Sequence, residues 1–272
     1  FIAREVLDGV RQGLHRSLRR GFSSEFFDYK NYEPGDDATK IDWRLYAKTG
    51  KYFIKRFEAE TSLECMMLVD TSKSMHWKWE DSVSKKEYAS ILAASLGLLL
   101  TLQRDQVGLH TFGDLPQEHI KPKSSLKHIS EFFSALAAPA LEKEGPPLTE
   151  CARGIGAIRR HKGLLILISD LEMHENEIRE SISLLRSKGD ELIVFHLLDK
   201  AEIDLPFSDA THIRDSETGE LIPFNAPAVR ASHKQRISDF RKLVKKICTE
   251  NGAMSVPIDT SLSPVSAIIA MN

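Results

Sequence analysis

The chain has 272 residues, with 37 Lys and Arg against 39 Asp and Glu and a formal net charge of -2. Hydrophobic residues at 42% and charged residues at 28% support a buried core and exclude bulk disorder, a collagen-like repeat and a strongly basic nucleic-acid binder. Three distant cysteines, Cys65, Cys151 and Cys248, form no C-x-x-C pair, so neither a disulfide scaffold nor a cysteine zinc site is expected.

Taken in chain order, Phe1-Ile-Ala-Arg-Glu5 lacks the basic-then-apolar pattern of a signal peptide. Residues 1–60 read as a helical lead-in and a small β-rich lobe, with Tyr52–Phe57 as a strand. From 61 to 272 strands and helices alternate. Leu63–Val69 is an apolar strand ending at an Asp, and Lys85–Arg104 is a helix. Its run Ile91–Leu102 is too short for a spanning helix, which needs about 20 apolar residues, and suits a helix buried on most of its surface. A cytoplasmic chain with no membrane span is therefore expected.

Gln106–Phe112 is the next strand, closed by the Gly113-Asp114 turn, and Leu126–Leu136 is a helix with Leu126, Ile129, Phe132, Phe133 and Leu136 on its apolar face. A helix at Leu148–Arg160 precedes the strand Gly163–Ser169, which again ends at an Asp. Glu175–Ser187 is a helix stopped near Gly189, and Glu191–Leu197 a strand. Thr211–Phe224 reads as a hairpin inserted near 203–226, followed by a basic helix, Pro227–Glu250, and a last strand, Ala253–Ile258. Such alternation implies right-handed crossovers, so the fold class is α/β with a mostly parallel sheet flanked by helices.

Chemistry concentrates in Asp70-Thr-Ser72-Lys-Ser74, directly after the first core strand. Ligands of open parallel sheets bind beyond the carboxyl ends of the strands. The D-x-S-x-S spacing offers one carboxylate and two hydroxyls, hard donors suited to Mg²⁺ or Mn²⁺. Asp170, at the end of Leu164–Ser169, brings a second carboxylate to the same sheet edge, where the two would repel without a cation. The alternative is an Asp/Ser turn that caps a helix.

With these residues in place, the chain resembles a von Willebrand factor A-type domain with a metal-ion-dependent adhesion site. Gln106–Gly113 is similar to the second strand of that fold and Leu167–Asp170 to its fourth. The stretches Gly21–Asp37, Lys40-Ile-Asp-Trp-Arg44 and Ala47-Lys-Thr-Gly50 are similar to the signature of the bacterial "domain of unknown function 58" family. That resemblance implies a Rossmann-like A-domain core, a MoxR-type AAA+ ATPase as partner, and no established catalytic activity. It also implies a Thr ligand from a loop that here reads Gly145-Pro-Pro-Leu-Thr149, with Pro146 at the usual Thr position and Thr149 as the remaining candidate.

In the N-terminal lobe, Pro34-Gly35 reads as a turn, with Asp36 and Asp37 bonding backbone amides or pairing with Arg44 and Lys48, and Trp43 covering the junction to the core. Alternatively Asp36, Asp37 and Asp42 form a second cation or partner site. His76 and His174 follow the two acidic loops and read either as residues bordering the site or, the favoured reading, as ordinary surface histidines. The basic runs Arg11–Arg20 and Lys234–Lys246 read as solvated helix faces, not as nucleic-acid sites. Arg153-Gly-Ile-Gly156 lacks the Lys-Ser/Thr of a P-loop.

Two functions follow. The first is a non-enzymatic binding module whose metal ion, held by Asp70, Ser72, Ser74, Asp170 and Thr149, engages a carboxylate of the ATPase or of its client protein. The second is a Mg²⁺-dependent phosphotransferase or hydrolase with Asp70 as nucleophile, which would lack an acid/base partner because Ser72 stands where a second Asp is needed.

Overall fold

The computed structural model describes residues 28–33, 41, 43–56, 63–80, 82–113, 118–138, 145–158, 162–207, 210–214 and 221–264. The expected helical lead-in, the Arg11–Arg20 run, the Pro34-Gly35 turn, Asp36, Asp37, Asp42, Asp114 and the Arg44 side chain lie outside the described residues. The described residues fall into two compact units, one within Arg16–Ser62 and one within Leu63–Asn272.

In the smaller unit, β1 (Asp28–Asn31) pairs antiparallel with β2 (Phe53–Arg56). Between them lies a helix the sequence reading lacks, α1 (Trp43–Thr49). Tyr46 stacks on Tyr52 with ring centroids 4.5 Å apart, and Trp43 meets Tyr46 edge-on. Trp43 itself is 61% exposed, and Lys48 lies at the surface.

The larger unit is built on a six-stranded sheet. Its strands are β3 (Glu64–Asp70), β4 (Gln106–Phe112), β5 (His119–Lys123), β6 (Leu164–Ser169), β7 (Glu191–Leu198) and β10 (Met254–Asp259). They lie in the order β10-β7-β6-β3-β4-β5, all parallel except β5. A separate hairpin joins β8 (Ala210–Arg214) to β9 (Leu221–Asn225). The expected α/β class and mostly parallel sheet are present. The antiparallel edge strand β5 is an addition; Pro122 within it cannot donate a ladder hydrogen bond, which confines such a segment to an edge.

Helices cover both faces. The long apolar helix is α2 (Lys85–Leu102), and α3 (Leu126–Leu136) packs beside it. Next come α4 (Leu148–Ile158), α5 (Glu175–Arg186), the short α6 (Lys200–Asp204) and α7 (Ala226–Glu250). Met66, Leu68, Leu165, Leu167, Leu192 and Val194 form one core with α4, α5 and α7. Their strand neighbours Cys65, Met67, Val69, Ile166 and Ile168 are equally buried, under α2, whose Tyr88, Leu92 and Leu96 are also inaccessible. Burial on both faces explains why these strands read as continuous apolar runs rather than alternating ones. All three cysteines are buried, and no disulfide joins them. Among the described residues, no helix is long and apolar enough to cross a membrane.

This strand order reverses direction between β3 and β6. From β3 the chain moves outward to β4 and β5, then returns to the other side for β6, β7 and β10. The carboxyl ends of β3 and β6 therefore flank the crevice where open α/β sheets take their ligands.

Candidate functional site

Asp70 closes β3 and Asp170 follows β6, two strands paired in register with Val69 opposite Ile168. Both acids are buried, Asp70 at 2% and Asp170 at 3% exposure. After Asp70 the chain turns through Thr71 and Ser72 into a single 3₁₀ turn, Lys73–His76. Thr71 fixes that path, since its backbone N–H and its hydroxyl both donate to the Phe112 carbonyl, at 2.8 and 2.7 Å. Gly113 permits it. A Cβ there would lie 2.5 Å from the Ser72 nitrogen, and its φ of +99° disfavours other residues.

The loop's polar groups converge. Ser72 N–H donates to Asp70 Oδ1 at 2.9 Å, and the Ser72 and Ser74 hydroxyls share a hydrogen bond of 3.1 Å. Asp70 Oδ2 accepts a hydrogen bond from the Ser169 hydroxyl, which in turn accepts from the Leu171 N–H. Leu171 is wholly buried and has a φ of +53°, a left-handed conformation that non-glycine residues rarely adopt. Burial, and secondly the charge of Asp170, push the Asp70 carboxyl up to about 6.

Asp170 has a partner the sequence reading lacks. Its Oδ2 accepts from the Lys85 ammonium at 2.7 Å, while its Oδ1 accepts from the Glu172 N–H at 3.2 Å. Lys85 is the first residue of α2 and is only 1% exposed. Its ammonium also donates to Glu202 Oε1 at 2.6 Å. Burial disfavours the lysine's charge, but Asp170 and Glu202 outweigh burial and hold its pKa above the ordinary value. The picture of two carboxylates with no cation between them is thus corrected: Asp170 carries a resident ammonium, and the strain falls on Asp70.

The remaining expected residues are placed as follows. Thr149 is the second residue of α4, half-buried, and no hydrogen bond links it to Asp70, Ser72, Ser74 or Asp170. Pro146, also half-buried, lies just before that helix. His76 and His174 are both exposed. A histidine not singled out before, His196 on β7, sits opposite Ser169, is 1% exposed, and bonds the Asp170 backbone. Burial lowers its pKa to about 4, so it is neutral.

Asp70, Ser72 and Ser74 are a hard-oxygen set. Two ligands on neighbouring positions of an octahedral Mg²⁺ stand about 3 Å apart, given metal–oxygen distances of about 2.1 Å. The 3.1 Å between the two hydroxyls fits that spacing. The loop therefore offers donors of the kind a divalent cation takes, whereas the Asp170 carboxylate is already engaged by Lys85. Among the described residues, no cluster of three or more His, Cys, Asp or Glu side chains suits a metal.

A family model described as "Protein of unknown function DUF58" matches residues 28–242. The chain belongs to the DUF58 family. This DUF58 chain is 24% identical to the uncharacterized proteins Mb1516 of Mycobacterium bovis and Rv1480 of Mycobacterium tuberculosis, over 98% of its length and 84% of theirs. Its fold is similar to that of BatB from Bacteroides thetaiotaomicron, with a TM-score of 0.52 and 22% identity over 77% of this chain and 97% of that one. An aerotolerance-related membrane protein from Bacteroides fragilis matches with a TM-score of 0.53 and 19% identity, over 78% and 97% of the two chains. The VWA domain of SpRpn10 matches at a TM-score of 0.42 and 12% identity, over 76% and 94%. The likeness to the two Bacteroides proteins is one of fold, a mostly parallel α/β sheet flanked by helices.

Proposed function

We propose that this DUF58 protein is a non-enzymatic protein-binding module that engages a partner carboxylate through a divalent cation. Asp70, Ser72 and Ser74 would hold Mg²⁺ or Mn²⁺, with Asp170 behind them and Thr149 as a further hydroxyl. The observation that carries this reading is the convergence of the Ser72 and Ser74 hydroxyls, 3.1 Å apart, beside a carboxylate at the sheet's switch point. When bound, the ion supplies an open coordination position for a partner's anionic oxygen. The residues do the rest. Ser169 and the Ser72 N–H orient the Asp70 carboxylate, and the Thr71–Phe112 bonds hold the loop against β4. The partner proposed is a MoxR-type AAA+ ATPase or its client, met in the cytoplasm, as the family resemblance implies.

An Asp70 nucleophile is less well supported. Its carboxylate is 2% exposed, and each oxygen already accepts a hydrogen bond. The residue two positions on is Ser72, where an acid/base carboxylate would be needed, and the nearby Asp170 is held by the Lys85 ammonium. Electron paramagnetic resonance of free Mn²⁺ tests the main reading. Wild type should deplete the free signal, Asp70→Asn should not, and a phosphatase assay with Mg²⁺ should show no turnover. Equal Mn²⁺ uptake by both proteins, or turnover that Asp70→Asn abolishes, would sink it.

A further inference from the structure

Lys85 breaks two local rules at once. It is an ammonium with 1% exposure, and burying a cation is tolerated only when anions surround it. It also opens a helix, where the partial positive charge of the N-terminus repels it. Its place there is firmly set. Ser84 accepts from the Glu87 N–H at 3.1 Å and the Glu87 carboxylate accepts from the Ser84 N–H at 2.8 Å, a capping box that starts α2 at Lys85. A side chain so placed against its local preferences marks a site where function outweighs stability.

Its two anions come from elsewhere in the fold. Asp170 stands at the end of β6, and Glu202 lies in α6, directly after β7. Glu202 is itself fixed, since its second oxygen accepts from the Asp199 N–H at 2.8 Å. The Asp199 carboxylate is held in turn by Ala201 N–H and the Thr260 hydroxyl. One ammonium thus bridges the carboxyl ends of two strands, and one of its carboxylates is the acid proposed to stand behind the metal loop. Glu202 gives the lysine a second anion that the metal loop does not use.

We infer that Lys85 is a tethered counter-ion that shares Asp170 with the divalent-cation site, holding that carboxylate when the site is empty and falling back on Glu202 when an ion is loaded. The inference rests on the metal-binding reading of Asp70, Ser72 and Ser74. Charge accounts for the arrangement: Asp170 and Glu202 share one ammonium, and Asp70 lies near enough to Asp170 to feel its charge, so a single divalent cation would bring the cluster to balance. The lysine keeps the empty site from holding the buried Asp70 and Asp170 and the half-buried Glu202 with no cation, and the same lysine weakens ion binding by competing for Asp170. Ion loading therefore changes how α2 and α6 are tied to the sheet, although neither helix supplies a ligand to the ion.

Two substitutions should move ion affinity in opposite directions. Lys85→Gln frees Asp170 and removes a repelling charge, so Mn²⁺ should bind at least about tenfold more tightly than to wild type. Glu202→Gln removes the lysine's second anion and fixes the ammonium on Asp170, so Mn²⁺ should bind about tenfold more weakly. Free Mn²⁺ is read by electron paramagnetic resonance on the full chain, with Asp70→Asn as the blank. Because Lys85→Gln leaves Asp170 and Glu202 without their cation, its thermal melt in EDTA should drop, and Mn²⁺ should restore it more than it raises wild type. The double variant Lys85→Gln/Glu202→Gln removes one charge of each sign and provides a folded reference; it too should bind more tightly than wild type. If wild type binds and Asp70→Asn does not, while Lys85→Gln matches wild type or binds more weakly, Lys85 is only a structural ion-pair partner and this inference fails alone. If no variant takes up Mn²⁺, the metal-binding reading and this inference fall together.

Discussion

Asp70→Asn and Asp170→Asn, two isosteric changes at adjacent strand ends, should shift stability in opposite directions in the absence of metal. The ionised Asp70 is held against burial and against the Asp170 charge, and moving a carboxyl from 3.8 to about 6 costs about 3 kcal/mol at neutral pH. Asn keeps an acceptor for the Ser72 N–H and a donor for the Ser169 hydroxyl, so Asp70→Asn should stabilise the protein by about 1–3 kcal/mol. Asp170→Asn acts on a buried ion pair, and removing one partner of such a pair costs about 3–5 kcal/mol. Glu202, still 2.6 Å from the ammonium, limits that loss. Easing the repulsion on Asp70 returns about 1 kcal/mol, leaving a net destabilisation of about 2–3 kcal/mol. At about 2–4 °C per kcal/mol, the melting temperature should rise by a few degrees in one variant and fall by about 4–12 °C in the other. Urea and thermal denaturation in EDTA near neutral pH read both. Stabilisation by Asp170→Asn would mean that the acids act as a repelling pair with no counter-ion, and the reasoning from Lys85 would be refuted.

Gly113→Ala places a methyl 2.5 Å from the Ser72 nitrogen, so the loop must shift; denaturation should show a loss of at least about 2 kcal/mol, and Mn²⁺ uptake should weaken with it. Ser169→Ala orphans the buried Leu171 N–H and strips Asp70 of a donor, costing about 1–3 kcal/mol in the same assay. Acid should destabilise the wild type as the pH falls from about 6.5 toward 4, because His110 and His196 are buried as neutral rings with pKa values near 4. Asp70 opposes that loss as it takes up a proton below about 6, so Asp70→Asn should lose stability more steeply between pH 6 and 4. Parallel pH profiles for the two proteins would contradict the burial of an ionised Asp70.

Legibility in the sequence followed the range of the interactions. The apolar runs Glu64–Asp70, Gln106–Phe112 and Leu164–Ser169 each end at the sheet edge that bears the site, so the strands, the α/β class and the acids that close the first and third could be read locally. The helix α1 could not, because Trp43–Thr49 is short and mixes aromatic with polar residues. Neither could β5, whose His-Ile-Lys-Pro-Lys sequence reads as loop until β4 offers it an edge. Lys85 was hidden for a different reason. Its carboxylates lie 85 and 117 residues further along the chain, and a lysine opening a helix looks like an exposed one until the crossovers bring β6 and α6 to it. The local signal was present nonetheless, in a basic residue at the one helix end that disfavours it.

Partner capture tests the central claim most directly. The full chain is immobilised and presented with a MoxR-type AAA+ ATPase from the same cell, in Mg²⁺ and in EDTA, beside the Ser72→Ala/Ser74→Ala double variant. A divalent-cation-dependent module should retain the ATPase in Mg²⁺, release it in EDTA, and fail to retain it once both hydroxyls are gone. Retention that is equal in all three conditions would contradict the claim that Asp70, Ser72 and Ser74 carry the interaction.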